Sequence, residues 1–332
     1  MDKNLSFKLS RYFNGPTPPD AFVLSEDEVT EPSKGEVLIS VDWISVDPAM
    51  RGWITPTRSY IAPVQPGEVM RAVGIGKVVK SNCDKLGVGD FVTGFTGVQR
   101  FATLRSRDLS KIDTNVAPAQ SNLSGLGFTG QTAYFGMMDI AQVKSGQTVV
   151  VSAAAGAVGS IAAQLAKVMG ATVIGIAGGS EKCRYLKDEL NLDHAIDYKN
   201  ENVAEKLKLY TPDYIDVYFD NVGGEVLDYC LNRIAYKGIV VVCGAISQYE
   251  NMDNPKGPRA YLNLISQSAR MQGFTMRDYL DRIPEAYSAL STLHFKGKLS
   301  FREHIVHGIE SFPSAYKMLF DGQNNGKLII RV

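Results

Sequence analysis

The residues with the clearest chemical use lie in Thr148-Val-Val-Val-Ser-Ala-Ala-Ala-Gly-Ala-Val-Gly-Ser-Ile-Ala-Ala-Gln-Leu-Ala-Lys. An apolar run enters Ala154-Ala155-Gly156-Ala157-Val158-Gly159, and a helical pattern follows. This is G-x-G-x-x-G spacing with Ala154 in the first glycine's place. Gly156 lets the backbone approach a pyrophosphate, and Gly159 lets the helix pack closely on the strand. The helix start offers unpaired N–H groups and a partial positive charge. The chemistry such a loop suits is dinucleotide binding.

The next strand bears on which dinucleotide. An NAD-preferring site carries an acid roughly 20 residues past the loop, at that strand's end. Here the strand ends Ile176-Ala177-Gly178-Gly179-Ser180-Glu181-Lys182, so its tip holds small residues and a hydroxyl. Ser180 could cap the following helix and contact a 2′-phosphate, with Lys182 as countercharge. Glu181 suits a helix N-terminus. The expectation is NADPH rather than NADH.

These residues need a scaffold of alternating strands and helices. Thr148–Ser152, Thr172–Ala177, His194–Tyr198, Tyr214–Phe219 and Gly238–Cys243 read as strands. Val158–Met169, Glu181–Leu190 and the segments near 202–210 and 224–234 read as helices between them. That alternation predicts a doubly wound parallel sheet. Residues 1 to about 120 read differently, as a mostly antiparallel β domain with Pro and Gly punctuation. Glu36–Val46 alternates apolar and polar, and Gly74 and Gly76 within Val69–Lys80 mark strand bends. A helical stretch over Asp278–Lys296 holds Pro284, which either splits it or opens its main helix. Gly326-Lys-Leu-Ile-Ile-Arg-Val reads as a strand that could return to the β domain.

Composition bounds the partners. The chain has 332 residues, a length suited to two domains, and a formal net charge of zero. Neither nucleic acid nor a membrane is an expected partner. Met-Asp-Lys-Asn-Leu-Ser at the start lacks the apolar core of a secretory leader. Cys83, Cys183, Cys230 and Cys243 are scattered. A cytoplasmic setting is the expectation.

Seven motifs, in order, resemble a known family. They are Val46-Asp-Pro-Ala-Met-Arg-Gly, Gly130-Gln-Thr-Ala-Tyr-Phe-Gly, Ala153-Ala-Ala-Gly-Ala-Val-Gly, Gly179-Ser-Glu-Lys, Asp220-Asn-Val-Gly-Gly, Cys243-Gly-Ala-Ile-Ser-Gln-Tyr and Asn324-Asn-Gly-Lys. Together they resemble the medium-chain dehydrogenase/reductases, in the zinc-free double-bond reductase branch. That branch includes prostaglandin reductases, plant alkenal reductases and bacterial NADPH-dependent curcumin reductases. Arg270-Met-Gln-Gly-Phe followed by Arg277-Asp-Tyr is most similar to the curcumin reductases.

The resemblance implies an α/β fold: a GroES-like β-barrel domain from residues 1–122 and 297–332, and a Rossmann domain from 123–296. It implies that Gly156, Ala157, Val158 and Gly159 hold the pyrophosphate. Gly178, Ser180, Lys182 and Tyr198 would meet the adenosine phosphate end. Asn221 would run along the cofactor, and Cys243, Ile246 and Tyr249 would line its nicotinamide end. Asn324 would reach it from the C-terminal segment, with Met50 and Thr132 packing nearby. A homodimer through the Rossmann sheet edge is also implied.

Zinc enzymes of the superfamily carry Gly-His-Glu where this chain has Gly67-Glu68-Val69, and a cysteine near the position of Asp47. His304 and His307 lie close together without a cysteine near them. No metal site is expected. Eukaryotic relatives place a tyrosine where Ser266 stands, so that residue's role does not transfer; Tyr249 and Tyr261 are the alternatives. Asp47 and Arg51 are expected to form a structural ion pair, and Tyr134 to belong to the core.

The implied reaction is hydride transfer from NADPH to the β-carbon of an α,β-unsaturated ketone or aldehyde. Tyr249 is the candidate donor or pocket wall, and Tyr60 a candidate for the substrate mouth. The rivals are a zinc-free quinone reductase and a non-catalytic NADPH-binding sensor or structural protein.

Overall fold

The computed structural model describes residues 3–332. The chain opens with β1 (Asn4–Leu9), β2 (Phe22–Asp27) and β3 (Glu36–Ser45), followed by the short helix α1 (Met50–Trp53). Next come β4 (Gly74–Ser81), β5 (Phe91–Gly94), β6 (Phe101–Arg105) and β7 (Ser110–Lys111). Helix α2 (Phe128–Phe135) leads into β8 (Thr148–Ser152), α3 (Ala157–Val168), β9 (Thr172–Ala177), α4 (Ser180–Arg184) and β10 (His194–Asp197). Then follow α5 (Val203–Tyr210), β11 (Ile215–Asp220), α6 (Gly224–Leu231), β12 (Ile234–Val242), α7 (Asn263–Ser266) and β13 (Arg270–Gly273). The chain closes with α8 (Ile283–Phe295), β14 (Glu303–His307), α9 (Phe312–Phe320) and β15 (Lys327–Arg331).

Six strands form a parallel sheet in the order β10-β9-β8-β11-β12-β13. Its central strands are largely apolar and buried because helices cover both faces. Alternation still decides which face each residue serves. Val149, Val151 and Phe219 join one core, while Val150, Ile174 and Tyr218 join the other. The expected helix over Glu181–Leu190 is instead α4 followed by a π-helical turn at Tyr185–Glu189. Pro284 sits in the first turn of α8, after a 3-10 segment over Met276–Arg282.

The other large sheet has seven strands, in the order β14-β15-β3-β4-β5-β7, with β6 also on β3. Strand β15 pairs antiparallel with β3, so the C-terminal segment does return to the N-terminal sheet. Strand β4 starts at Gly74, later than periodicity suggests. A Cβ at Gly76 would stand 2.2 Å from the Ser40 carbonyl oxygen, so glycine is what permits the tight β3–β4 approach.

A buried ion pair locks this return. Lys327 Nζ lies 2.5 Å from Asp47 Oδ1, with the lysine side chain only 2% exposed. The same ammonium donates to the Val46 carbonyl at 3.1 Å, and Ser45 donates to the Asp47 carboxylate. The expected Asp47–Arg51 pair is thus corrected. Arg51 is buried and forms no salt bridge among the described residues, donating instead to Thr55 Oγ1 and the Phe13 carbonyl and stacking on the Phe13 ring. Lys327→Met would strand the Asp47 charge and should cost about 3–5 kcal/mol in urea unfolding. Pairing it with Asp47→Leu should recover much of that loss. A single variant within about 0.5 kcal/mol of the parent would show the pair to be dispensable.

Candidate cofactor and substrate cleft

The loop between β8 and α3 has the geometry its glycines suggest. Gly156 caps α3 in an extended conformation. A Cβ at Gly159 would stand 2.3 Å from the Ala153 carbonyl oxygen, so only glycine fits where the helix crosses the loop. Ala157 and Val158 form the half-buried first turn, whose N–H groups have no partner within the helix. The C-terminal segment meets the loop here: Gly326 bridges to Gly156, and its N–H donates to the Ala155 carbonyl at 3.2 Å. Asn324 Nδ2 steadies this crossing by donating to the Gly326 carbonyl at 2.9 Å.

Beside the loop, Gly178 lies flat against Tyr198. A Cβ at Gly178 would come within 2.8 Å of that ring, which is itself 48% exposed. Lys182 Nζ donates to the Gly322 carbonyl at 2.7 Å. Burial, then the neighbouring Lys199, lowers the Lys182 pKa from the ordinary lysine value. Ser180 does not cap α4. Gly179 holds the N-cap with φ 95°, a left-handed conformation suited to glycine, leaving Ser180 exposed in the first turn.

At the far end, Asp220 organises the turns. Its Oδ1 accepts from Tyr218 OH, Ser152 Oγ and the N–H groups of Val222 and Gly223. Its backbone carbonyl accepts from Cys243 N–H at 2.9 Å. Asn221 Nδ2 donates to the Ser152 carbonyl at 2.7 Å, and Ile246 N–H donates to the Asn221 carbonyl at 3.2 Å. The Tyr249 hydroxyl accepts from Ala245 N–H at 3.2 Å, leaving its own proton free to donate. Burial raises the Tyr249 pKa, so the phenol stays protonated at neutral pH. Burial, then Asp220, pushes the Cys243 thiol up to about 12.

Met50 and Thr132 were expected to pack nearby. Met50 is 0% exposed within the β-domain core, so it packs there and presents no surface to a ligand. Thr132 is half-buried, and its hydroxyl donates back to the Phe128 carbonyl on its own helix. Tyr261 and Ser266 are exposed at α7 and its approach. Tyr134 is half-buried and donates to Glu285.

A cavity of about 650 Å³ opens where β12 and β13 end, lined by Tyr60, Val242, Gly273, Phe274, Thr275, Arg277 and Asp278. Tyr60 reaches it from the β domain. Its hydroxyl accepts from Trp53 Nε1 at 2.9 Å, and its carbonyl accepts from Arg277 Nη1 at 2.9 Å. Sequence reasoning passed over Asp220, Phe274 and Arg277 as site residues. The available signals were an acid ending an apolar strand and a cation following a strand end. Among the described residues, no three His, Cys, Asp or Glu side chains gather as a metal site.

A nucleotide-binding turn beside a cavity at the carboxyl ends of parallel strands defines an oxidoreductase of the dinucleotide-binding class. Residues 6–112 match the family described as the N-terminal domain of oxidoreductase, and 157–293 the one described as zinc-binding dehydrogenase. The chain belongs to the medium-chain dehydrogenase/reductases, in their double-bond reductase branch. It is 45% identical to the NADP-dependent oxidoreductase YfmJ of Bacillus subtilis (strain 168), over 92% of this chain and 90% of that protein. It is 36% identical to the NADPH-dependent curcumin reductase of Escherichia coli (strain K12), over 99% of this chain and 97% of that one. The crystal structure of CurA from Vibrio vulnificus in complex with NADPH superposes with a TM-score of 0.93 at 36% identity, covering 99% of both chains.

The thiol environments give a chemical check. Burial opposes ionisation at Cys83, but hydrogen bonds with Ser81 and the backbone at Leu86 outweigh it and lower its pKa. Burial raises Cys183 to about 11, Cys243 to about 12, and Cys230 well above its ordinary value. Iodoacetamide at pH 8 should therefore label Cys83 at least roughly 10-fold faster than the others, as read by peptide mass spectrometry. Equal labelling of Cys243 would contradict this packing.

Proposed function

We propose that this chain uses NADPH to reduce the carbon–carbon double bond of α,β-unsaturated ketones and aldehydes. The observation that carries the reading is the pairing of a phosphate loop with a cavity walled in part by Tyr60, Phe274 and Val242, both at the carboxyl ends of the parallel strands. A side-chain-free approach at Gly156 and Gly159 fits a pyrophosphate, and Lys182 with Tyr198 fits a 2′-phosphate. When bound, NADPH supplies a hydride to the β-carbon of the substrate. The chain's part is orientation and charge stabilisation. Asn221, Ile246 and Cys243 form the wall that aligns the reacting ends, and Asn324 closes the cleft from the C-terminal side. Tyr249, neutral and with its proton free, donates toward the oxygen on which enolate charge develops. The α-carbon then takes a proton from Tyr249 or from water.

The same reading divides the chain into residues 1–122 with 297–332 and residues 123–296, with the cleft between the two parts. Four free cysteines fit a cytoplasmic setting. Among the described residues, no helix is long and apolar enough to cross a membrane.

The direct test follows NADPH oxidation with a medium-chain enone, with a quinone in parallel and product identification. A saturated ketone as product is expected, and Tyr249→Phe should slow turnover by about 10²-fold or more if it donates the proton. Quinone reduction alone would favour the quinone reductase reading. NADPH binding without turnover of either acceptor would favour the sensor.

A homodimer belongs to this proposal. Strand β13 is the sheet's edge and is exposed along its whole length, next to Tyr261, Leu262 and Ile265, the last 76% exposed. A second copy paired along β13 would cover both the open edge and this apolar patch. Sedimentation equilibrium should give twice the chain mass, and Ile265→Lys should shift it toward monomer. A parent protein that sediments as a monomer at micromolar concentration would remove the dimer from the proposal.

A further inference from the structure

One acid stands where a reader of a 2′-phosphate has no use for it. Strand β9 ends at Ala177, and Glu181 follows in the first turn of α4, next to Lys182. An acid at this end of the second strand is what an NAD-preferring site uses to accept from the ribose hydroxyl. The charges around it are otherwise positive. Burial, then Lys199, lowers the Lys182 pKa, and Glu181 opposes that shift. Left free, the Glu181 carboxylate would repel a phosphate bound beside Lys182.

The carboxylate is not free. Asn325, from the turn after α9, donates its Nδ2 to Glu181 Oε1 at 3.0 Å. That amide is fixed from behind. Arg302 Nη1 donates to Asn325 Oδ1 at 3.3 Å, and Asn325 N–H donates to His304 Nδ1 at 3.2 Å. Arg302 is itself paired with Glu189 and lies 3.8 Å over the Tyr185 ring. Arginine can only donate and a carboxylate only accept, so the Asn325 amide has one workable orientation, with its NH₂ end toward Glu181. The same turn meets the lysine differently. Among the described residues the Lys182 ammonium donates to the Gly322 carbonyl alone, so donor capacity remains for an anion. The turn thus sorts the two charges, engaging the acid and leaving the cation open.

We propose that Asn325 is a specificity-determining residue for NADPH over NADH. It keeps the Glu181 carboxylate engaged on the C-terminal segment, so that the acid neither repels the 2′-phosphate of NADPH nor accepts from the ribose hydroxyl of NADH. This rests on the placement of the 2′-phosphate at Lys182 and Tyr198 proposed above. Glu181 is exposed and Asn325 half-buried, so the effect is that of a hydrogen bond in contact with water, several-fold and not thousands-fold.

Equilibrium binding tests this without a substrate. NADPH and NADH are titrated into the full chain, with nicotinamide fluorescence as the signal, and the quantity read is Kd for NADH divided by Kd for NADPH. Asn325→Ala should lower that ratio by roughly 5-fold or more. Asn325→Asp keeps the acceptor for Arg302 but sets a second acid against Glu181, and should lower the ratio at least as far. In a Glu181→Gln background, Asn325→Ala should change the ratio by less than about 2-fold, because no charge is left to release. An equal fall in both backgrounds would overturn the proposal and make Asn325 a brace for the turn through Arg302. An Asn325→Asp variant with the parent's ratio would overturn it as well. The placement beneath it is read separately, by displacement of NADPH with 2′,5′-ADP. Lys182→Ala should weaken that displacement. If it does not, the phosphate is held elsewhere, and the placement falls together with the role of Asn325.

Discussion

A single carboxylate oxygen gathers the turns of the cleft. Asp220 ends β11 and is almost wholly buried, and four donors from three places in the chain converge on its Oδ1. Ser152 ties it to the end of β8, where the phosphate loop begins. Val222 and Gly223 tie it to the turn that carries Asn221. Its carbonyl holds Cys243 and Gly244 at the end of β12. Burial still raises the Asp220 pKa above the ordinary carboxylate range despite these donors. With the folded value raised, the native state binds the extra proton. The charged form therefore costs stability as pH climbs from the ordinary value through the raised one. The protein accepts that cost where three strand ends must stay in register.

The second constraint is closure of the chain on itself. Gly326 meets the phosphate loop and Lys327, its neighbour, enters a buried ion pair with Asp47. One peptide unit thus joins the nucleotide-binding turn to the start of α1. In the zinc enzymes of the superfamily, as the resemblance implies, a cysteine stands near the position of Asp47. Here an ammonium from the chain's own last strand meets the carboxylate there.

Much of this architecture was legible in the residues. Thr148–Ser152 and Thr172–Ala177 read as strands with the bounds they have, because short apolar runs flanked by small turn residues allow little else. Gly159 was legible because helix–strand contact at that point excludes any Cβ. The misreadings concern partners distant in sequence. Asp47 was matched with nearby Arg51, yet its cation lies 280 residues away. Arg277 reaches Tyr60 across 217 residues, a contact that no local pattern encodes. Ser180 looked like a cap by composition, but the positive φ of Gly179 moved the helix start by one residue.

The long reach of β15 has a consequence for how the protein is made. The phosphate loop is complete in sequence by residue 159, but its tie to Gly326 needs a chain more than 160 residues longer. Every shorter nascent chain carries that loop untied and leaves Asp47 without its ammonium. Contacts of such separation repay loop-closure entropy late, so the cleft assembles among the last events of folding. A chain that ends before Lys327 therefore holds every strand of the parallel sheet yet lacks β15, and with it the tie that finishes the cleft.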